Sequence, residues 1–119
     1  MRLIRQFNEF WPHYVDQHGR PLNRRLHFAG TTLGLLCLAG AALFGSAWLL
    51  PAGLVTAYGT AWIGHAFVEH NRPATFRHPV LSLLGDFRMY GLMWAGRMDN
   101  EIQRLGQSKI TPFLSRKQP

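Results

Sequence analysis

Between Leu26 and Val68 the chain carries no Asp, Glu, Lys or Arg: 43 consecutive uncharged residues in a protein of 119. About 20 apolar residues cross a bilayer once, so the block is long enough for two passes. A soluble domain of this size has too much surface for its volume to hide such a stretch easily. The soluble alternative is a buried core hairpin in an oligomer. The fold class expected is therefore all-α, an integral membrane helical hairpin flanked by amphipathic or interfacial helices.

The net charge is +7, from 13 Lys and Arg against 6 Asp and Glu. Such a balance raises nucleic-acid binding, but here the basic residues bracket the apolar block and form no groove-facing stripe. No nucleic-acid partner is expected. The first 25 residues hold Arg2, Arg5, Glu9, Asp16, Arg20, Arg24 and Arg25 and no apolar core of a signal peptide. Cys37 is the single cysteine, which excludes an intrachain disulfide and a CxxC metal site.

The chain reads as one membrane domain in four parts. Residues 1–25 form an N-terminal interfacial helix and loop, with Leu3, Phe7, Phe10, Trp11 and Tyr14 at helical spacing. Pro12 predicts a kink or two short pieces. Residues 26–70 form the transmembrane hairpin, with Asn23 as N-cap, a turn at Gly45–Ser46 and Pro51 opening the second helix. Gly30, Gly34, Gly40, Gly53, Gly59 and Gly64 allow close helix approach in lipid. Trp48 is placed as an interfacial anchor.

Residues 71–96 form a loop and a third apolar helix interrupted by Asp86 and Arg88. A charge at mid-span costs about 2.5–3.5 kcal/mol, so this helix is expected at the interface, re-entrant, or packed on the hairpin. Asp86 is expected to pair with an Arg of the first loop. Residues 97–119 read as a polar tail, frayed over Ser115–Pro119. Five Arg precede the first span, Arg72 and Arg77 follow the second, and the turn near Gly45 has no Lys or Arg. The positive-inside rule then puts both hairpin ends in the cytoplasm, at the inner membrane in a bacterium, and Lys109, Arg116 and Lys117 add to the same side. Small-residue faces also admit a homo-oligomer.

Six histidines stand out: His13, His18, His27, His65, His70 and His78. His27 and His65 each lie 19 residues from Ser46. In an antiparallel hairpin both then sit about 28 Å from the turn, at the border of the hydrocarbon. His18 can fold back to that level. Polar groups at membrane depth are candidates for function. Glu69 is four residues after His65 and shares its α-helical face, as a ligand, a partner that orients the imidazole, or a pair for Arg72. His70 faces elsewhere, and with Asp86 it is a secondary metal candidate. His13 and His78 read as polar caps. Imidazoles with at most one carboxylate and no thiolate suit Fe(II) or Zn(II): iron implies oxygen chemistry, zinc implies hydrolysis.

The run His18 to Gly30, H-G-R-P-L-N-R-R-L-H-F-A-G, resembles the first signature of the 2-hydroxy fatty acid dioxygenases. The run Trp62 to Ala74, W-I-G-H-A-F-V-E-H-N-R-P-A, resembles the second. The resemblance implies an iron(II) enzyme of the lipid bilayer that uses molecular oxygen to shorten a 2-hydroxy fatty acid by one carbon. It implies His18, His27 and His65 as metal ligands and catalytic residues, with Glu69 as ligand or orienting partner. Arg72 or Arg20 is the expected fork for the substrate carboxylate. The rival readings are a non-catalytic membrane protein whose histidines hold a structural metal or a haem, and a zinc-dependent lipid hydrolase.

Overall fold

The computed structural model describes residues 2–106. They are helical throughout, with no strand among them. Helix α1 (Arg2–Gln17) leads through a short turn into α2 (Pro21–Phe44). Gly45, in the left-handed region at φ 64°, ends α2 and turns the chain into α3 (Leu49–Ile63). A π-helical segment, Gly64–Glu69, continues α3 directly. A 3-10 turn (Ala74–Phe76) then precedes α4 (Pro79–Trp94), and residues 98–106 form a last helix, α5.

Helices α2 and α3 form an antiparallel hairpin whose seam is made of small residues. A Cβ on Gly34 would lie 3.3 Å from the Ala57 Cβ, and one on Gly53 would lie 2.9 Å from the Cys37 Cβ. The backbones approach that closely because no side chain stands between them. Gly59 meets nothing within 4 Å and lies outside the seam. Much of the remaining hairpin surface is apolar and uncovered: Leu33, Leu36, Leu43, Phe44, Leu54 and Val55 are all exposed.

The core lies at the other end of the molecule. Phe10, Trp11, Tyr14 and Val15 of α1 pack with Met89 of α4 and Met98 and Leu105 of α5. Buried aromatics of this size each remove about 150–250 Å² from water, several kcal/mol apiece at about 25 cal/mol per Å². Tyr14 lies flat on Gly85, where a Cβ would come within 2.8 Å of its ring. Helix α4 also leans on α2 through Phe28 against Tyr90 (centroids 4.8 Å apart) and Thr32 Oγ1 to Tyr90 Oη (2.9 Å).

Several local expectations change. Pro12 sits inside one continuous α1. The carbonyl it deprives of a partner belongs to Asn8, an exposed residue that water can satisfy. The N-cap of α2 is Arg20, with Pro21 at the first helical position, and Asn23 is buried one turn in. Neither charge of α4 is left open. Asp86 accepts a hydrogen bond from the Tyr14 hydroxyl, so its partner is a phenol on α1 and no arginine of the loop. Arg88 lies over the Trp11 ring, 4.5 Å from its centroid, and 3.8 Å from the Glu101 carboxylate. Residues 98–106, expected in a polar tail, form a packed helix in which Glu101 accepts from Trp11 Nε1 at 2.9 Å. Lys109, Arg116, Lys117 and the end at Ser115–Pro119 lie outside the described residues.

Candidate metal centre

Three segments bring His18, His27 and His65 together, the third far from the first two in sequence. His18 follows α1, His27 is on the second turn of α2, and His65 is in the π-helical segment. All three are buried. Their ring centroids are 4.5, 4.6 and 5.0 Å apart, and every pair meets edge to face. One ring nitrogen from each lies within 4.8 Å of the other two, and no other metal-ligating cluster occurs among the described residues.

The outward nitrogens are each tied down. His18 Nδ1 is 2.7 Å from the Tyr14 carbonyl, and His27 Nδ1 is 3.0 Å from the Asn23 carbonyl. A carbonyl only accepts, so both Nδ1 atoms carry the proton. His65 Nδ1 is 2.6 Å from Asn71 Oδ1. The orientation of that amide is set in turn, because Asn71 Nδ2 donates to the Gln17 carbonyl at 3.0 Å. Each neutral ring therefore turns an unprotonated Nε2 inward.

His18 Nε2 and His27 Nε2 face each other at 3.1 Å. Between two neutral rings of these tautomers no proton is available for that contact, and two lone pairs repel. Protonating one ring would relieve it. Burial, and next the adjacent His27, hold His18 well below the usual imidazole range, which opposes that solution. A cation held at the inward nitrogens would satisfy all three rings. Imidazoles whose far N–H is anchored to an oxygen are the usual dress of a metal site.

The shell around the three rings is built from both signatures. Glu69 lies outside the cluster: its Oε1 accepts from the Arg20 backbone N–H at 2.5 Å and from Asn23 Nδ2 at 3.4 Å. It clamps the turn after His18 onto the residue whose carbonyl holds His27. Gly64 is required beside it, since a Cβ there would collide with the Asn23 side-chain oxygen. Tyr14 stacks on His18 with centroids 4.0 Å apart. Its hydroxyl reaches Asp86, whose carboxyl burial pushes up to about 6, while the Tyr14 hydrogen bond pulls the other way.

The other sequence candidates sit apart. His70 caps the π-helical segment in the left-handed region (φ 59°) and is exposed. Asp86 contacts Tyr14 and is not one of the clustered ligands. Arg72 lines a recess of about 490 Å³ with His13, Gln17, Pro73, Phe76, Arg77 and His78, and Asn71 links its Gln17 to His65. Arg20 enters the site through its backbone N–H. Asn71, Tyr14 and Arg24 were not singled out from sequence as parts of the centre. Arg24 is buried and its Nη1 donates to the His18 carbonyl at 2.7 Å. Arg24 lies within the His18–Gly30 run and Asn71 within the Trp62–Ala74 run, so the two signatures were the available signal for both.

A cleft of about 310 Å³ opens beside the cluster, between α2, α3 and α4. His27 and Asp86 stand at one end of it and Leu38 and Leu50 line it near the hairpin turn. Neither Arg72 nor Arg20 is among its lining residues.

The family described as 2-hydroxy-palmitic acid dioxygenase Mpo1-like matches residues 4–98. The chain belongs to that family. No curated protein and no solved structure matches it. The stretch shared with the Mpo1-like family contains the three histidines, Asn71, Glu69, Tyr14 and Asp86, and ends at the first residue of α5.

Proposed function

We propose that this chain is an iron(II)-dependent membrane dioxygenase that shortens 2-hydroxy fatty acids by one carbon. The observation that carries the reading is the trio of buried imidazoles with their inward nitrogens unprotonated and two of them 3.1 Å apart. Three imidazoles alone suit zinc, iron, copper or nickel. The family description supplies the choice, since a dioxygenase needs a metal that exchanges electrons and zinc does not. Iron(II), which His18, His27 and His65 would hold through their inward nitrogens, would supply the activation of dioxygen. The overall reaction balances with C1 of the acid leaving as carbon dioxide, C2 becoming the carboxyl carbon of the product, and dioxygen reduced to supply oxygen and water.

The protein's own part is placement. The Tyr14, Asn23 and Asn71 oxygens hold the three rings in one tautomer. The buried floor of Tyr14 and Trp11 keeps water from the side of His18. The hairpin crosses the bilayer twice in this reading, with both ends and the histidines on the cytoplasmic side. Support comes from α2, which is long and apolar enough to span and scarcely buried within the protein.

Metal analysis of detergent-purified, anaerobically reconstituted protein tests the reading. Near-stoichiometric iron is expected in the wild type and less than a tenth of that in His65→Ala, with oxygen uptake only in the wild type on 2-hydroxy acids. Tight zinc with no oxygen uptake would shift the function to hydrolysis. Failure to bind any metal would end the enzyme reading.

A further inference from the structure

The cleft beside the histidines has a direction. Its polar groups, His27 and Asp86, stand at the metal end. Apart from Thr31 and Tyr58, the walls beyond that end are apolar. From His27 to Leu38 the wall follows eleven residues of α2, about 16 Å at helical rise. The groove exists because Gly34 and Gly53 let the two helices touch along their backbones, which leaves a furrow over the seam with leucines on its banks. Leu38 on α2 and Leu50 on the first turn of α3 are the lining residues nearest the hairpin turn and mark the groove's far end. Its volume falls at the small end of ligand sites, about 300–1,000 Å³.

We infer that this cleft is an acyl ruler: the fatty acid lies along it with its carboxyl end at the histidines and its methyl end against Leu38 and Leu50, which set the longest chain the protein takes. The inference rests on the dioxygenase reading. A long, narrow, apolar trench with polar groups at one end fits a single hydrocarbon chain with a polar head; it offers nothing to the backbone of a peptide. The trench opens sideways, past the exposed side chains of Leu35 and Leu54, onto the same uncovered face as the rest of the hairpin. Substrate enters from the hydrocarbon of the bilayer, tail first toward the turn, and the metal end is reached without passing through water.

The test uses the full chain in lipid nanodiscs, loaded with iron(II), and a ladder of saturated 2-hydroxy fatty acids. Two double variants move the end of the trench: Leu38→Phe with Leu50→Phe shortens it, Leu38→Ala with Leu50→Ala lengthens it. Both leucines are largely exposed, 55% and 46%, so neither change empties the core. The phenylalanine pair should lower kcat/KM for the longest accepted acids about tenfold or more and spare the shorter ones, since a methylene in an apolar pocket is worth 10-fold or more. The alanine pair should move the limit upward. A profile unmoved in both variants overturns the ruler and leaves the dioxygenase standing. A fatty acid with a photoreactive diazirine at its methyl end gives a readout independent of turnover. Label concentrated on the peptides around Leu38 and Leu50 supports the ruler even if the wild type oxidises no acid, an outcome that would remove only the dioxygenase reading. Label spread over the exposed faces of α2 and α3 overturns it.

Discussion

At the scale of single residues, the three rings depend on oxygens that lie outside the cluster. Asn71 is the clearest case. Its Oδ1 fixes the His65 tautomer, and its Nδ2 holds the carbonyl that ends α1. The two functions separate by substitution. Asn71→Ala removes both and should weaken metal binding about 10–100-fold, the usual cost of losing a group that orients a ligand histidine. Asn71→Asp keeps an acceptor for His65 Nδ1 but cannot donate to Gln17. It should retain the metal within a few-fold while lowering the melting temperature. Isothermal titration with iron(II) under nitrogen reads the first effect and thermal unfolding the second. Equal metal loss in the two variants would show that Asn71 acts through the fold alone. The second signature includes Asn71, but neither role was legible there, where Asn71 reads only as a residue ending a helix. An amide gains its meaning only from what lies across the site, here Gln17, 54 residues earlier.

At the scale of elements, the hairpin was the most legible part and the register at its end the least. The uncharged block, Gly45 and the equal distances of His27 and His65 from Ser46 correctly bring those two rings to one level, 5.0 Å apart. That argument needs only helical rise and an antiparallel turn. The face of Glu69 needed more. An α-helical period puts it on the His65 side as a candidate ligand, but the chain winds as a π-helix from Gly64 and the Asn71 N–H reaches the His65 carbonyl at 2.9 Å. Nothing in G-H-A-F-V-E announces the wider turn; it is a tertiary choice that places Gly64 against Asn23 and Glu69 against the Arg20 N–H. Such single-turn π segments are frequent at functional sites. Deleting the exposed Ala66 lets the segment close in α register and rotates everything after it. We expect unchanged helix content by circular dichroism and at least a tenfold loss of bound iron. A deletion that binds iron like the wild type would show that the π turn is incidental.

At the scale of the whole molecule, two kinds of surface meet in one small chain. One end is a packed core of α1, α4 and α5 in which even the charges of α4 have partners, Asp86 in Tyr14 and Arg88 in Trp11 and Glu101. The sequence showed the charges but not the partners, because an aromatic face on α1 and a carboxylate on α5 become neighbours only after folding. The other end is a bare apolar hairpin. Exposed Leu43, Phe44 and Trp48 at its tip have no role in water, and a contiguous patch of that extent on a soluble monomer would drive association. In a bilayer the same surface is satisfied, and charge then decides orientation: the tip has no Lys or Arg, while Arg20, Arg24, Arg25, Arg72 and Arg77 gather at the histidine end. Single cysteines placed on a Cys37→Ala background read this directly. With Arg77→Cys, a membrane-impermeant maleimide should label only after the membrane is opened from the cytoplasmic side. With Ser46→Cys, it should label intact cells. Labelling of both positions from the same side would mean that the hairpin enters and leaves one leaflet without crossing. The histidines would keep their geometry in that case, but the trench toward Leu38 and Leu50 would lie along the membrane plane instead of descending into it.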